Sequence, residues 1–431
     1  MIETLARWNR WGTAKLESGK LRDITGRLKP FLDSKDILAL AGPRRAGKTT
    51  VMYQVMDELE SRGVPREAML HVNLEEPGFS PDLGLGLLDR LYDSYREEVF
   101  PEGRAYLLLD EVQQVPGWER WVRARNETEE IKILVTGSSS ALMSRELGTL
   151  LTGRHVTFQV RPLDFSEYLR FKSIKPPARP RLVGTPAPIQ NALSAYLQWG
   201  GFPEVVLAHD DRRRAALLKQ YFDDLLFKDV ALRHTVRDLP TLRALAVHLL
   251  AQTANLVSYQ RIANTFGVSL DLARNYCAHL QEAFMVQLLP YFSLKVSERQ
   301  RHPNKIHAMD LGLRNAVCLT GSPDRGRLAE TAVHNALAAE HGDLHYFRKD
   351  NELDLLVRRG NKIETVVQVT AEGLDREEVL KRELAPLVEA ADRFPGARRY
   401  LVAGRIPRGG IEVPPGVEVV PLWRALMGEL G

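Results

Sequence analysis

Residues 36–50 read DILALAGPRRAGKTT, and the order of residue types in that stretch predicts how the chain begins to fold. Asp36 to Ala41 is a short, mostly apolar run suited to a buried strand. The next eight residues, Gly42, Pro43, Arg44, Arg45, Ala46, Gly47, Lys48 and Thr49, match GxxxxGK[ST] at every fixed position. Thr50 to Arg62 continues with helical periodicity and stops at Gly63, a suitable C-cap. A strand, a glycine-bearing loop and a helix N-terminus make a phosphate cradle. The glycines let backbone N–H groups wrap an anion, and the helix end adds positive potential. Residues 42–50 are therefore expected to hold ATP. Lys48 would reach the β- and γ-phosphates, and the Thr49 hydroxyl would ligate Mg²⁺. Arg44 and Arg45 occupy variable positions of the loop, where a side chain faces either phosphate or solvent.

A second signature complements the first. Tyr106 to Leu109 (YLLL) runs directly into Asp110 and Glu111. Two carboxylates at the end of an apolar strand need a task, because burying them is costly. Asp110 is expected to hold the Mg²⁺ shell and Glu111 to polarise the attacking water as general base. A third strand, Ile131 to Thr136, ends in Gly137-Ser138-Ser139-Ser140. Ser138 is the expected γ-phosphate or water contact, with Thr136 as the alternative and a plain N-cap as the bland reading. Strands at 36–41, 68–74, 106–110, 131–136 and 155–160 alternate with helical stretches. That pattern predicts an α/β fold, a parallel sheet with helices on both faces.

The chain has 431 residues, long enough for two to four domains. Its 44% hydrophobic and 26% charged content is that of a globular protein. No apolar run approaches the roughly 18 residues of a membrane span, and Met1 to Arg10 lacks the apolar core of a signal peptide. Two cysteines, Cys277 and Cys318, lack metal-ligand spacing. The expected compartment is the cytoplasm, without membrane partners. A formal net charge of +4 is too small to imply nucleic acid by itself.

Taken in order, GPRRAGKTT, YLLLDEVQQV, VTGSSS, LTGRHVTFQVRPLDFSEYL and GGFPEV resemble the AAA-type ATPases that carry a C-terminal restriction-endonuclease-like domain. Trp8 to Arg22 resembles that family's lead-in. The resemblance implies the AAA sheet order, a helical lid and assembly into rings or partial rings. In such rings a neighbour's arginine touches the γ-phosphate; Arg154, in LTGR, is the preferred candidate and Arg145 the second. Gly200-Gly201-Phe202-Pro203-Glu204 matches the family's GGFPE motif and reads as a structural turn.

The domains expected are 1–170 for the lead-in and ATPase, 171–310 for a helical lid and winged helix, and 311–431 for the nuclease-like fold. The prolines between Lys175 and Pro188 suggest a surface excursion. Beyond two further helices, Ser258 and Ser269 are placed to cap a pair of helices around a turn at Gly267, with strands at 284–292 and 305–309 flanking a polar tip. If that winged helix meets DNA, Arg274 and Asn275 would face the groove, and Arg299, Arg301 and Lys305 the phosphates. In the C-terminal part, Glu330 and Asp354 fit two acidic places of the nuclease-like core, but Gln368 and Thr370 stand where Glu and Lys are needed. Lys362 or Lys381 could replace that lysine only by migration, so nuclease activity is not expected. The leading expectation is an oligomeric ATPase coupling turnover to DNA; the alternative is a nucleotide switch that gates a protein partner.

Overall fold

Ile37–Ala41 forms β1, with every side chain buried, and its carboxyl end delivers the phosphate loop to the helix Lys48–Ser61. The computed structural model describes residues 1–12, 15–143, 154–177, 186–319, 324–407 and 411–430. The chain divides into two units, 1–161 and 162–431.

In the first unit, β1 is joined by β2 (Met69–Asn73), β3 (Ala105–Asp110), β4 (Ile131–Gly137) and β5 (His155–Gln159). All pairings are parallel, in the order β2-β3-β4-β1-β5. Each expected strand forms within a residue or two of its sequence limits. Continuous apolar runs are what a sheet covered on both faces requires. Gly63 ends the first helix in the left-handed conformation, with φ of 87°, and the Val64 N–H closes on the Leu59 carbonyl. The lead-in covers the edge of the sheet: the Asn9 side chain donates to the His71 carbonyl at 2.8 Å and accepts from the His71 N–H at 2.7 Å. A side-chain amide thus imitates one residue of a sixth strand on β2.

The second unit begins with helices and then builds two sheets. Asp211–Asp224 continues into a π-helical stretch, Leu225–Leu232, and Leu239–Ala251 follows. Tyr259–Phe266 and Leu270–Glu282 are joined through Gly267 at φ of 64°. The Ser269 hydroxyl accepts from the Leu272 N–H at 3.1 Å, whereas Ser258 occupies its cap position without a side-chain bond. These helices pack with β6 (Asn255–Val257), β7 (Val286–Leu289) and β8 (Asn304–Ala308), an antiparallel sheet in the order β6-β8-β7. The polar tip between β7 and β8 is a short helix, Val296–Arg301.

The last sheet contains β9 (Leu344–Arg348), β10 (Glu352–Arg359), β11 (Lys362–Gly373), β12 (Arg398–Arg405) and β13 (Val417–Pro421), in the order β13-β12-β11-β10-β9. β9, β10 and β11 pair antiparallel, and β11, β12 and β13 pair parallel. Helices Arg325–Glu340 and Glu377–Arg393 bury apolar faces against it. The same apolar core takes in Phe165, Leu169 and Ile189 from the start of the unit. Among the described residues, no helix is long and apolar enough to cross a membrane.

Candidate nucleotide site

The phosphate loop is closed by contacts that leave no room for a side chain at Gly42. A Cβ there would lie 2.0 Å from the Val160 carbonyl oxygen, because residues 41–42 are wedged between the ends of β4 and β5. Gly47, at φ of 95°, takes the left-handed turn that starts the helix. Arg45 also sits at positive φ, 66°, and Arg44 pairs with Glu75 at 2.6 Å. Arg22, from the lead-in, is buried and donates to the Ala46 carbonyl at 2.7 Å and the Arg161 carbonyl at 2.8 Å. It pins the loop to the far end of β5. The sequence holds no local signal for this role, because Arg22 precedes the Ala46 that it contacts by 24 residues.

Lys48 is buried. Its ammonium donates to the Gly42 and Pro43 carbonyls at 3.1 and 3.3 Å and pairs with Glu111 at 3.1 Å. Thr49 Oγ1 lies 2.5 Å from Asp110 Oδ2. Thr136 donates to the other Asp110 oxygen and accepts from the Glu111 N–H at 3.0 Å. Thr136 therefore fixes the Asp110 carboxylate and the Glu111 backbone, while Ser138, one residue beyond β4, stands near Gln113, whose amide contacts it at 3.3 Å. Gln113 also donates to Glu111 at 2.5 Å. His71, on β2, brings Nε2 within 3.9 Å of Asp110. Gln113 and His71 carry no motif that singles them out in the sequence; only strand pairing brings His71 beside Asp110.

Burial pushes the Asp110 carboxyl up, but His71, Thr136 and Thr49 outweigh it and hold it below its usual range. For Glu111, burial and Asp110 act upward, and Lys48, Arg44 and Gln113 bring it below its ordinary value. Both acids are thus ionised at neutral pH. Glu111 adopts φ of 58°, a left-handed conformation rare for a side-chain-bearing residue. Such strain is characteristic of residues held in place for a task.

A hydroxyl and an ionised carboxylate, 2.5 Å apart at a helix N-terminus, form the oxygen pair a hard divalent cation requires. Thr49 and Asp110 therefore fit Mg²⁺. Lys48 and the loop N–H groups of residues 42–50 fit a polyphosphate. Arg154 is exposed at the amino end of β5. The loop lies at the opposite end of this parallel sheet, about five residues or ~17 Å away. Arg154 therefore cannot reach the loop of its own chain. Arg145 lies outside the described residues.

Phosphate loop, paired acids and parallel sheet together define a P-loop AAA-type ATPase domain, and residues 34–169 match the AAA domain family. Residues 190–324 match a domain of unknown function. An uncharacterized protein of Haemophilus influenzae is 30% identical over 351 residues, which span 79% of this chain and 84% of that protein. The chain belongs to the family of that protein. An uncharacterized protein of Methanocaldococcus jannaschii is 29% identical across 79% of this chain and 75% of its own length. Among solved structures, the ADP form of the Aeropyrum pernix ORC2 protein aligns with 64% of this chain and 90% of its own, at 13% identity and a TM-score of 0.37.

One expected DNA contact is corrected by the fold. Lys305 is buried, with no solvent access, at the second position of β8. It belongs to the central strand of its sheet rather than to the polar tip, and three carboxylates hold its ammonium. Arg274 and Asn275 are exposed on the helix Leu270–Glu282, and Arg301 is exposed at the tip with Arg299 half-buried beside it.

Proposed function

We propose that this chain binds and hydrolyses ATP with Mg²⁺ and couples turnover to its hold on DNA. The observation that carries the first part is the joint arrangement of Thr49, Asp110, Thr136, Glu111 and Lys48. Lys48 and the loop amides hold the phosphates. Thr49 and Asp110 would hold the cation, which would supply charge neutralisation on the phosphate oxygens. Glu111, ionised and aimed by Thr136 and Gln113, accepts the proton of the attacking water. Ser138 stands beside Gln113, placed to orient that water. The lysine–glutamate pair, 3.1 Å apart, keeps the base tied until Lys48 engages phosphate.

The DNA part rests on a cleft of about 1480 Å³ between the helix Leu270–Glu282 and the tip helix. Arg261, Arg274, Arg299, Arg301 and Arg348 line it, with Tyr259. The two helices, their turn and the three-stranded sheet are read as a winged helix, whose tip and second helix straddle this basic cleft. Clustered arginines in a groove suit phosphate contacts, and a tyrosine in their midst suits stacking on a base. Asn275 lies on the same helix, next to Arg274. Assembly into a ring or partial ring would bring Arg154 of one subunit to the phosphate loop of the next. The C-terminal sheet is read as a restriction-endonuclease-like fold that serves binding rather than cleavage.

The test is steady-state ATP hydrolysis with and without single-stranded, duplex and four-way-junction DNA, with Lys48→Ala as the blank. Stimulation by one form, falling steeply with salt, is the expected result. Turnover indifferent to every form, together with no gel shift, would move the assignment to a switch acting on a protein partner.

A further inference from the structure

Lys305 projects from the centre of one sheet into the acidic centre of another. β8 pairs on both sides, Lys305 lying opposite Leu256 of β6 and Leu289 of β7. Its backbone is therefore fixed. Just before the strand, the Tyr346 hydroxyl holds the Pro303 carbonyl, and the Tyr346 ring lies 5.9 Å from the ammonium. Nζ stands 2.8 Å from Glu330, 2.7 Å from Glu352 and 3.3 Å from Asp354. The ammonium donates to Glu330 and Asp354 and pairs by charge with Glu352.

The resemblance to nuclease-like domains implies a divalent metal on Glu330, Asp354 and the residue at 368, and the side chains present do not fit one. Position 368 is a neutral glutamine. Its Nε2 donates to Glu383 at 3.1 Å, and its Oε1 is buried with no hydrogen-bond partner. Asp354 spends Oδ2 on the Val369 N–H at 2.9 Å and Oδ1 on Lys305. A Mg²⁺ ion needs carboxylate oxygens at about 2.1 Å. The oxygens it would use are those around Nζ, so ion and ammonium would be forced into near contact in a buried site.

We infer that Lys305 is the resident cation of this centre: its ammonium stands in place of a divalent metal, excludes that metal and ties the β6-β8-β7 sheet to the C-terminal sheet. Neither Lys362 nor Lys381 takes this place: Lys381 is exposed and paired with Glu377 at 2.6 Å, and Lys362 is exposed at the start of β11.

The experiment is a Mn²⁺ titration of the nucleotide-free full chain, read by electron paramagnetic resonance of the free ion. The wild type is expected to show no site that depends on Asp354. Lys305→Met should gain one site per chain, lost again in Lys305→Met/Asp354→Asn. A wild-type site abolished by Asp354→Asn alone overturns the inference, and so does a folded Lys305→Met chain without a new site. Should Lys305→Met not fold, the wild type suffices. Amine acylation mapped by mass spectrometry should leave Lys305 unmodified with or without 10-fold excess Mn²⁺. Modification that appears only with Mn²⁺ would mean that the metal displaces the lysine, and would equally overturn it.

Discussion

Thr136 ties the Asp110 carboxylate to the Glu111 backbone through a single hydroxyl. It donates to Asp110 and accepts from the Glu111 N–H, so it positions the proposed cation ligand and the backbone of the proposed base together. A hydrogen bond to a charged group contributes about 1.5–3 kcal/mol. Thr136→Val is therefore expected to lower steady-state turnover by roughly 10- to 100-fold, with ATP affinity little changed because Lys48 and the loop amides remain. Glu111→Gln should keep ATP binding, measured by a fluorescent analogue, and lose turnover; brisk hydrolysis by that variant would remove Glu111 as the base. A different carboxyl gives a pH signature in the second unit. Asp310 is fully buried and accepts from the Gly201 and Leu313 N–H groups at 2.7 and 2.8 Å. Burial raises its carboxyl to about 6 despite those bonds. The folded protein then binds more protons than the unfolded chain between the ordinary value of 3.8 and about 6. Stability falls as pH rises through that window, by up to about 3 kcal/mol, and levels off above it. Asp310→Asn should abolish that slope in denaturant midpoints taken between pH 4 and 7.

Asp310 also explains the GGFPE turn at the scale of elements. Gly200 sits at φ of 71°, and a Cβ there would lie 2.2 Å from the Asp310 carboxylate. At Gly201 the Cβ would meet the Leu163 carbonyl at 2.2 Å. Gly200→Ala is expected to destabilise the second unit by about 2 kcal/mol or more, seen as a lowered urea midpoint, because backbone strain and the clash act together. The tip helix carries its own prediction: replacing Arg299 and Arg301 by alanine should weaken DNA binding and flatten the slope of log affinity against log salt by about two. Three strands of the first unit were legible because each is an apolar run that stops at a residue with a chemical signature. Gly42, Asp110 and Gly137 mark where β1, β3 and β4 end. Sheet order was not legible from the strands, since pairing is decided by contacts distant in sequence; only the resemblance implied it. Lys305 was misplaced for a related reason. Within RHPNKIHA it reads as the last charge of a solvated tip, and its three carboxylates lie 25 to 49 residues onward, at 330, 352 and 354. His71 and Arg22 escaped notice in the same way.

At the scale of the whole molecule, the first unit carries the phosphate loop and the proposed base at one end of its sheet and an exposed arginine at the other. A parallel sheet makes that separation unavoidable: β1 and β5 run side by side, with Ile37 opposite His155 and Ala41 opposite Gln159. A cation at the start of β5 cannot meet the phosphate loop at the end of β1 in the same chain. If Arg154 stabilises transition-state charge, it does so for a neighbour, and the worth of such a contact is about 10³-fold or more in rate. Arg154→Ala alone should thus turn over slowly while binding ATP as the wild type does. Lys48→Ala alone should be inactive for want of phosphate contacts, yet it keeps Arg154 intact. Mixing these two variants separates the roles. A mixed interface pairs the sound loop of one with the sound arginine of the other, so turnover should recover at least ~10-fold above the Arg154→Ala level, and should rise with protein concentration as assembly proceeds. Recovery that fails although sedimentation shows mixed assemblies would leave Arg154 without a part in hydrolysis and direct the search to Arg145.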